Sequence, residues 1–206
     1  VDGNRYLDCN NNFTSIILGH ADPVIEAAVR KQLGRGTAFS MATEAEIELA
    51  EILCSRISSC EQMRFCNSGT EGVMGAIKAA RAFTGRPTII KVEGSYHGTY
   101  DHAEASLGSD PSNWGLADAP STVPYAQGAP DSLADEVVVV QFNDAHGAVE
   151  TIRRVGTRLA AVLCDLMPSR VGMPVLDPTF SEALRTTTQE VGALLILDEV
   201  ISFRLA

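Results

Sequence analysis

From residue 69 onward the chain alternates between short unbroken apolar runs and longer segments whose apolar positions recur every three or four residues. The runs Thr88–Val92, Val137–Phe142, Leu159–Leu166 and Leu194–Leu197 read as strands buried on both faces, a pattern that belongs to parallel sheets. Segments 71–84, 145–155 and 179–191 between them carry helical spacing, the first closed by Gly85 and Pro87. Strands separated by helices of this length form βαβ units, so the expected fold class is α/β: a mainly parallel sheet flanked by helices. A further short strand is expected at Met63–Cys66. The run Leu194-Leu195-Ile196-Leu197 leads straight into Asp198-Glu199-Val200, and this strand is expected in the middle of the sheet. Asp198 then lies at the sheet's carboxyl edge, where ligands bind in open α/β sheets.

Upstream the pattern is weaker. Asp22 followed by Pro23 predicts a helix start, and the segment runs to Gly34 and Gly36. Thr43 and Glu46, in capping-box spacing, start a second helix that reaches Ile57. Residues 1–40 are expected to form a segment of a small subdomain, and 41–206 the N-terminal part of a larger ligand-binding domain. The stretch from Gly94 to Asp135 is rich in Gly, Pro, Ser, Ala and Asp without a period. A loop of that length is expected to act as a lid, from Gly98 to Asp135.

Composition narrows the chemistry. The chain is 45% hydrophobic and 20% charged, with a net charge of −10 and no Lys/Arg block. That balance points away from nucleic acid and anionic membranes and toward a small-molecule substrate. Five cysteines, odd in number and without a C-x-x-C pair, suggest neither a disulfide framework nor a zinc site, and fit the reduced thiols of a cytoplasmic protein. No apolar stretch approaches the ~18 residues of a membrane span. The chain starts on Val1 without Met and stops at Ala206, soon after the organising strand, so it is expected to be a piece of a longer protein.

Candidate chemistry clusters at the ends of the expected strands. Asn67-Ser68-Gly69-Thr70-Glu71-Gly72 places small and hydroxyl residues between a strand and a helix. A helix N-terminus exposes unpaired N–H groups and a positive dipole end, so this is a phosphate cup, with an ordinary N-cap as the competing reading. It matches neither nucleotide-binding glycine motif. Glu93-Gly94-Ser95-Tyr96-His97-Gly98 brings an aromatic ring to the same edge, for stacking on a flat ligand or for packing in the rim. His97, Asp101 and His102 make a weak metal set, and no metal is expected; loop hydrogen bonding is the preferred role for His97. Asn143 either bonds a ligand oxygen or, with Asp144, caps the next helix. Cys66 and Cys164 read as core thiols. Asp198 needs a cationic partner if it is to stay ionised when buried, and the best candidate is a ligand rather than a residue. A bound phosphate, a stacked ring, a hydrogen-bonded oxygen and a cationic ring nitrogen together describe pyridoxal phosphate.

The same residues resemble a known family. Asp2-Gly3-Asn4, Gly19-His20-Ala21, Asn67-Ser68-Gly69-Thr70-Glu71, Tyr96-His97-Gly98, Asn143-Asp144 and Asp198-Glu199-Val200 are similar to class III pyridoxal-phosphate aminotransferases of fold type I. The run from Ala79 to Arg86 and the Tyr-His-Gly form look most like the glutamate-1-semialdehyde 2,1-aminomutase branch. The resemblance implies that Ser68, Gly69 and Thr70 hold the phosphate, Tyr96 stacks on the ring, Asn143 bonds the ring hydroxyl, Asp198 pairs with the ring nitrogen and Val200 packs against the ring. It implies pyridoxal 5'-phosphate, with the pyridoxamine form in the cycle, a small amino or semialdehyde substrate and a homodimer. The Schiff-base lysine is expected beyond Ala206.

Two departures stand out. Asp165-Leu166 replaces the family's Glu-Pro, and Ile201-Ser202-Phe203-Arg204 is one residue shorter than the Met-Thr-Gly-Phe-Arg of the best-known aminomutases. The expected activity is conversion of glutamate-1-semialdehyde to 5-aminolevulinate. An intermolecular aminotransferase with an oxo-acid acceptor is the enzymatic rival, and a non-catalytic binding or dimerisation module the other.

Overall fold

The structure, a computed structural model, describes residues 2–13 and 15–203. The chain divides into two units, Val1–Arg64 and Phe65–Ala206.

In the first unit α1 (Pro23–Leu33) starts where the sequence predicts. Asp22 Oδ1 accepts the N–H groups of Val24 and Ile25 at 3.0 and 3.1 Å, and Pro23 fills a first position whose N–H has no helical partner. The second helix, α2 (Glu44–Arg56), is capped by Thr43, whose Oγ1 accepts the Glu46 N–H at 3.4 Å. Neither helix fully buries a residue, and Val24, Val29, Leu33, Ile47 and Ile52 are exposed.

The second unit contains, in order, α3 (Gly69–Thr84), β1 (Thr88–Val92), α4 (Asp101–Glu104), the hairpin strands β2 (Gly115–Leu116) and β3 (Ala119–Pro120), and α5 (Leu133–Glu136). It continues with β4 (Val137–Val140), α6 (Ala145–Val155), β5 (Leu159–Asp165), α7 (Pro178–Val191) and β6 (Leu194–Asp198). Four strands form a parallel sheet in the order β4-β1-β5-β6. The two-residue period of a strand decides which helix each side chain meets. Ile90, Val92, Val162 and Cys164 pack with Ile152 of α6 and with Phe180 and Leu184 of α7. Ile89, Ala161 and Leu163 pack with Val73, Ile77 and Ala80 of α3. Both faces of β1 and β5 are therefore buried along their whole length. The α/β class with a mainly parallel sheet is the architecture found.

Three expectations change. Met63–Cys66 is not a strand, because no neighbouring strand among the described residues gives its backbone a ladder. Cys66 is consequently exposed rather than a core thiol. The apolar run Leu194–Leu197 does form a strand, but β6 lies at an edge of the sheet and is only half-buried, with Leu197 46% exposed. An unbroken apolar run reports on the two faces of a strand and says nothing about its in-plane neighbours. Finally, the expected lid is not one loop. Between Gly98 and Asp135 lie α4, β2, β3 and the start of α5; Ala103, Ala105, Ser106 and Leu107 are buried, and Ser106 is tied to Ser121 and Val123 by three hydrogen bonds of 2.7 to 3.0 Å.

Candidate active site

The site begins with the cap of α3. Ser68 has an extended backbone, and its Oγ accepts the Glu71 N–H at 3.2 Å, while Glu71 reaches back so that its Oε2 accepts the Asn67 N–H at 2.6 Å. Two donors of the turn are thereby satisfied, and the first helical N–H groups, those of Gly69 and Thr70, have no acceptor within the helix. They point along the positive end of a 16-residue helix. Thr70 Oγ1 accepts the Thr99 N–H at 3.1 Å. A hydroxyl has one donor and two acceptor positions, so the Thr70 proton is still available to an anion. Gly98 makes this approach possible: its φ is +89°, and a Cβ there would lie 2.4 Å from Thr70 Oγ1. Loop and helix start are locked together by a residue without a side chain.

Asp198 stands at the other wall. Parallel register pairs Asp165 with Asp198 on the neighbouring ends of β5 and β6, so two carboxylates reach the carboxyl edge side by side. Asp198 Oδ2 lies 2.8 Å from His97 Nδ1, and its Oδ1 accepts the Val200 N–H at 3.1 Å. The His97 side chain is fully buried and that of Asp198 nearly so. Burial pushes the Asp198 carboxyl up, but the hydrogen bonds from His97 and Val200 and the charge of His97 outweigh it, and the group ends below the usual carboxylate range. An ionised carboxylate only accepts, so His97 Nδ1 carries the proton of this bond. The sequence left Asp198 without a protein partner; the partner is His97, 101 positions away. No local signal joins residues so far apart.

Asp165 behaves differently. Burial raises its carboxyl above the ordinary value; the Met167 N–H, accepted by Oδ1 at 2.7 Å, lowers it, and the charge of Asp198 raises it again. Its short side chain turns back onto its own backbone and shapes the bend that follows β5. This gives the Asp165-Leu166 departure a structural role, because an Asp-stabilised turn stands where the family has proline.

A cavity of about 400 Å³ opens between the start of α3 and the end of β6, lined by Ser68, Gly69, Ile196, Asp198 and Val200 among others. Val200 comes close to Gly69, where a Cβ would meet its Cγ2 at 3.6 Å. The structure thus brings together Ser68, Gly69, Asp198 and Val200. Thr70 and Tyr96 do not line this cavity; Tyr96 is 43% exposed on the loop that holds Thr70 and Asp198. Asn143, in left-handed backbone at φ +63°, is clipped to the segment before α7: its Nδ2 donates to Val175 O at 2.8 Å and its Oδ1 accepts the Asp177 N–H at 2.9 Å. One amide proton of Asn143 remains uncommitted, and Asp144 does the capping of α6 through the Gly147 N–H. Among the described residues no group of three metal-binding side chains assembles; His102 pairs with Glu136 at 2.9 Å, away from His97. Cys164 is buried, and its thiol is pushed up to about 12 by burial and then by Asp165.

Ser68 and Gly69 bring O–H and N–H donors to one wall of the cavity, with Thr70 next to them outside its lining, and Asp198 is a held, ionised carboxylate at the other. They fit a ligand carrying a phosphate and a cationic ring nitrogen.

Comparison with known proteins gives concordant results. The aminotransferase class-III profile matches residues 1–202. Glutamate-1-semialdehyde 2,1-aminomutase of Pyrobaculum calidifontis is 42% identical over 202 residues, 98% of this chain and 44% of that protein. The crystal structure of an omega-transaminase from Sphaerobacter thermophilus is 50% identical with a TM-score of 0.90, over 95% of this chain and 44% of that one. A transaminase with PLP bound is 41% identical with a TM-score of 0.86, over 96% and 45% of the two chains. The chain thus spans just under half the length of the relatives it matches.

Proposed function

The chain belongs to the class-III aminotransferase family, and from that premise we propose that it is the part of a pyridoxal-phosphate enzyme that cradles the cofactor during amino-group transfer. The observation that carries this is Asp198, a buried carboxylate held ionised by His97 and Val200 and facing the helix N-terminus of α3 across one cavity. The gap suits a flat ring with a phosphate at one end and a basic nitrogen at the other.

In this proposal the N–H groups of Gly69 and Thr70 and the hydroxyls of Ser68 and Thr70 bind the phosphate. Ser68 Oγ keeps its proton free to donate, because the Glu71 N–H occupies only an acceptor position. Tyr96 would cover one face of the ring, Val200 would pack against it, and the uncommitted amide proton of Asn143 would serve the ring oxygen. Asp198 holds a proton on the ring nitrogen. Bound there, the cofactor supplies an electron sink for negative charge at the substrate carbon. The homodimer and cytoplasmic location belong to the same proposal, and the apolar side chains exposed on α1 and α2 support a covered face in the complete protein.

Two reactions use this cradle. Aminomutases among the relatives support transfer of the amine between neighbouring carbons of glutamate-1-semialdehyde to give 5-aminolevulinate. The 50% identity to an omega-transaminase supports transfer between two molecules instead. The complete protein is to be assayed with glutamate-1-semialdehyde alone and with amino donors plus or minus an oxo acid. Turnover without an added acceptor identifies the mutase, and an absolute need for the oxo acid identifies the transaminase. Failure of the protein to bind pyridoxal 5'-phosphate overturns both.

A further inference from the structure

Among the described residues Lys91 is the buried lysine of the sheet unit, and the cofactor cradle makes no direct use of it. It lies in β1 with no exposed surface, on the same face as Ile89. A buried ammonium is tolerated only when its donors are matched. Here all three are: Nζ donates to the carbonyl oxygens of Val92 at 3.1 Å, Ser95 at 3.1 Å and Ala105 at 2.7 Å. These acceptors are not neighbours in sequence. Val92 ends the strand, Ser95 immediately precedes Tyr96, and Ala105 follows α4, so Nζ joins the two ends of the segment that carries Tyr96, His97 and Gly98. Backbone bonds close the same junction, with Gly94 N–H donating to Ser106 O at 2.9 Å.

Downstream, that segment makes the contacts on which the site depends. His97 holds Asp198, and Thr99 and Gly98 hold Thr70. We propose that Lys91 is a positioning residue for the cofactor: by tying the carbonyls of Val92, Ser95 and Ala105 together it fixes the loop that presents Tyr96 to the ring and His97 to Asp198. The proposal rests on the pyridoxal-phosphate reading for its function but on Lys91's own bonds for its mechanism. The charged group acting on Nζ is Glu93, whose Oε1 accepts the Ser109 hydroxyl at 2.7 Å; α4 adds Asp101 and Glu104, and its His102 is taken up with Glu136. Burial lowers the Lys91 amine to about 7, against which the charge of Glu93 works. The three carbonyls favour the charged form, since a neutral amine has only two N–H donors to offer them.

The test is hydrogen exchange on the complete protein in its cofactor-free form, wild type and Lys91→Met, followed by titration with pyridoxal 5'-phosphate. In Lys91→Met, protection of the amides from Ser95 to Ala105 falls at least tenfold while α6 and α7 keep theirs, and the dissociation constant rises at least tenfold. If Lys91→Met does not fold, the same comparison on Lys91→Gln, whose amide keeps two N–H donors, decides: a loss of protection confined to Ser95–Ala105 supports the role and no loss there overturns it. Unchanged protection, or an equal loss in α6 and α7, overturns the role of Lys91. Loosened exchange with unchanged cofactor affinity overturns the positioning role. A wild type that binds no pyridoxal 5'-phosphate overturns the functional reading instead, while the exchange data still decide whether Lys91 holds the loop.

Discussion

Asp165 and Asp198 occupy the same register on neighbouring strands, yet their surroundings push them in opposite directions. Two N–H donors and an imidazole decide the difference: Asp198 receives His97 and Val200, Asp165 only Met167. Asp198→Ala is therefore expected to lose the cofactor far more readily than Asp165→Ala. A charge-assisted bond of this kind contributes about 1.5–3 kcal/mol, and absorbance of retained cofactor after dialysis measures it. Equal retention in the two variants contradicts the assignment. The pH dependence follows with its sign. A carboxyl whose folded value lies below its ordinary 3.8 stabilises the fold above that value and loses the contribution as pH falls through the lower folded one. Asp165, raised, acts the other way, and its strain is relieved as it is protonated. Removing the imidazole in His97→Gln should move the Asp198 carboxyl to higher pH, read from its carbon chemical shift. An unmoved titration would show that His97 does not hold the acid.

Among the elements, the start of α3 and the loop from Ser95 to Thr99 form one unit joined at Gly98. Gly98→Ala combines a left-handed backbone, costing roughly 1–2 kcal/mol, with a Cβ that cannot coexist with Thr70 in place. The expected loss is at least about 2 kcal/mol in thermal or urea unfolding, together with weaker phosphate binding; a neutral substitution would mean the contact is not tight. The sequence made much of this legible. Ser68, Asp22, Thr43 and Asp144 announce their helices because capping is a local hydrogen bond within three residues. Strands β1 and β5 announce themselves through runs apolar on both faces. What stayed hidden depends on distant chain. Only the assembled sheet shows that β6 is an edge, that His97 meets Asp198, and that Asn143 is spent largely on Val175 and Asp177. Lys91 was hidden for another reason: a lysine inside an apolar strand looks like an interruption until its three carbonyl acceptors are in place.

At the scale of the whole molecule, the chain carries the cradle together with much uncovered apolar surface. Leu197 and Val200 at the cavity, Phe203 beyond them in the chain, and Val24, Val29 and Leu33 on α1 are all exposed, and the outer side of β6 has no ladder partner among the described residues. An exposed apolar sheet edge templates association, so the isolated 206-residue chain should aggregate with rising concentration, as light scattering will register. Covalent capture of the cofactor is a separate matter. The chain has three lysines, Lys31, Lys78 and Lys91. Lys31 lies in the last turn of α1 and Lys78 in α3, nine residues beyond Gly69, or about 13 Å along the axis from the anion cup. The donors of Lys91 are already bound to three carbonyls, and its burial leaves no path to an aldehyde. The 206-residue chain should accordingly hold pyridoxal 5'-phosphate weakly and without a covalent bond, and should show no turnover. Borohydride reduction followed by intact mass measurement tests this directly. A stoichiometric adduct on one of these lysines would mean that the loop around Lys91 opens, or that α3 sits differently against the ring than the Ser68–Thr70 cup requires.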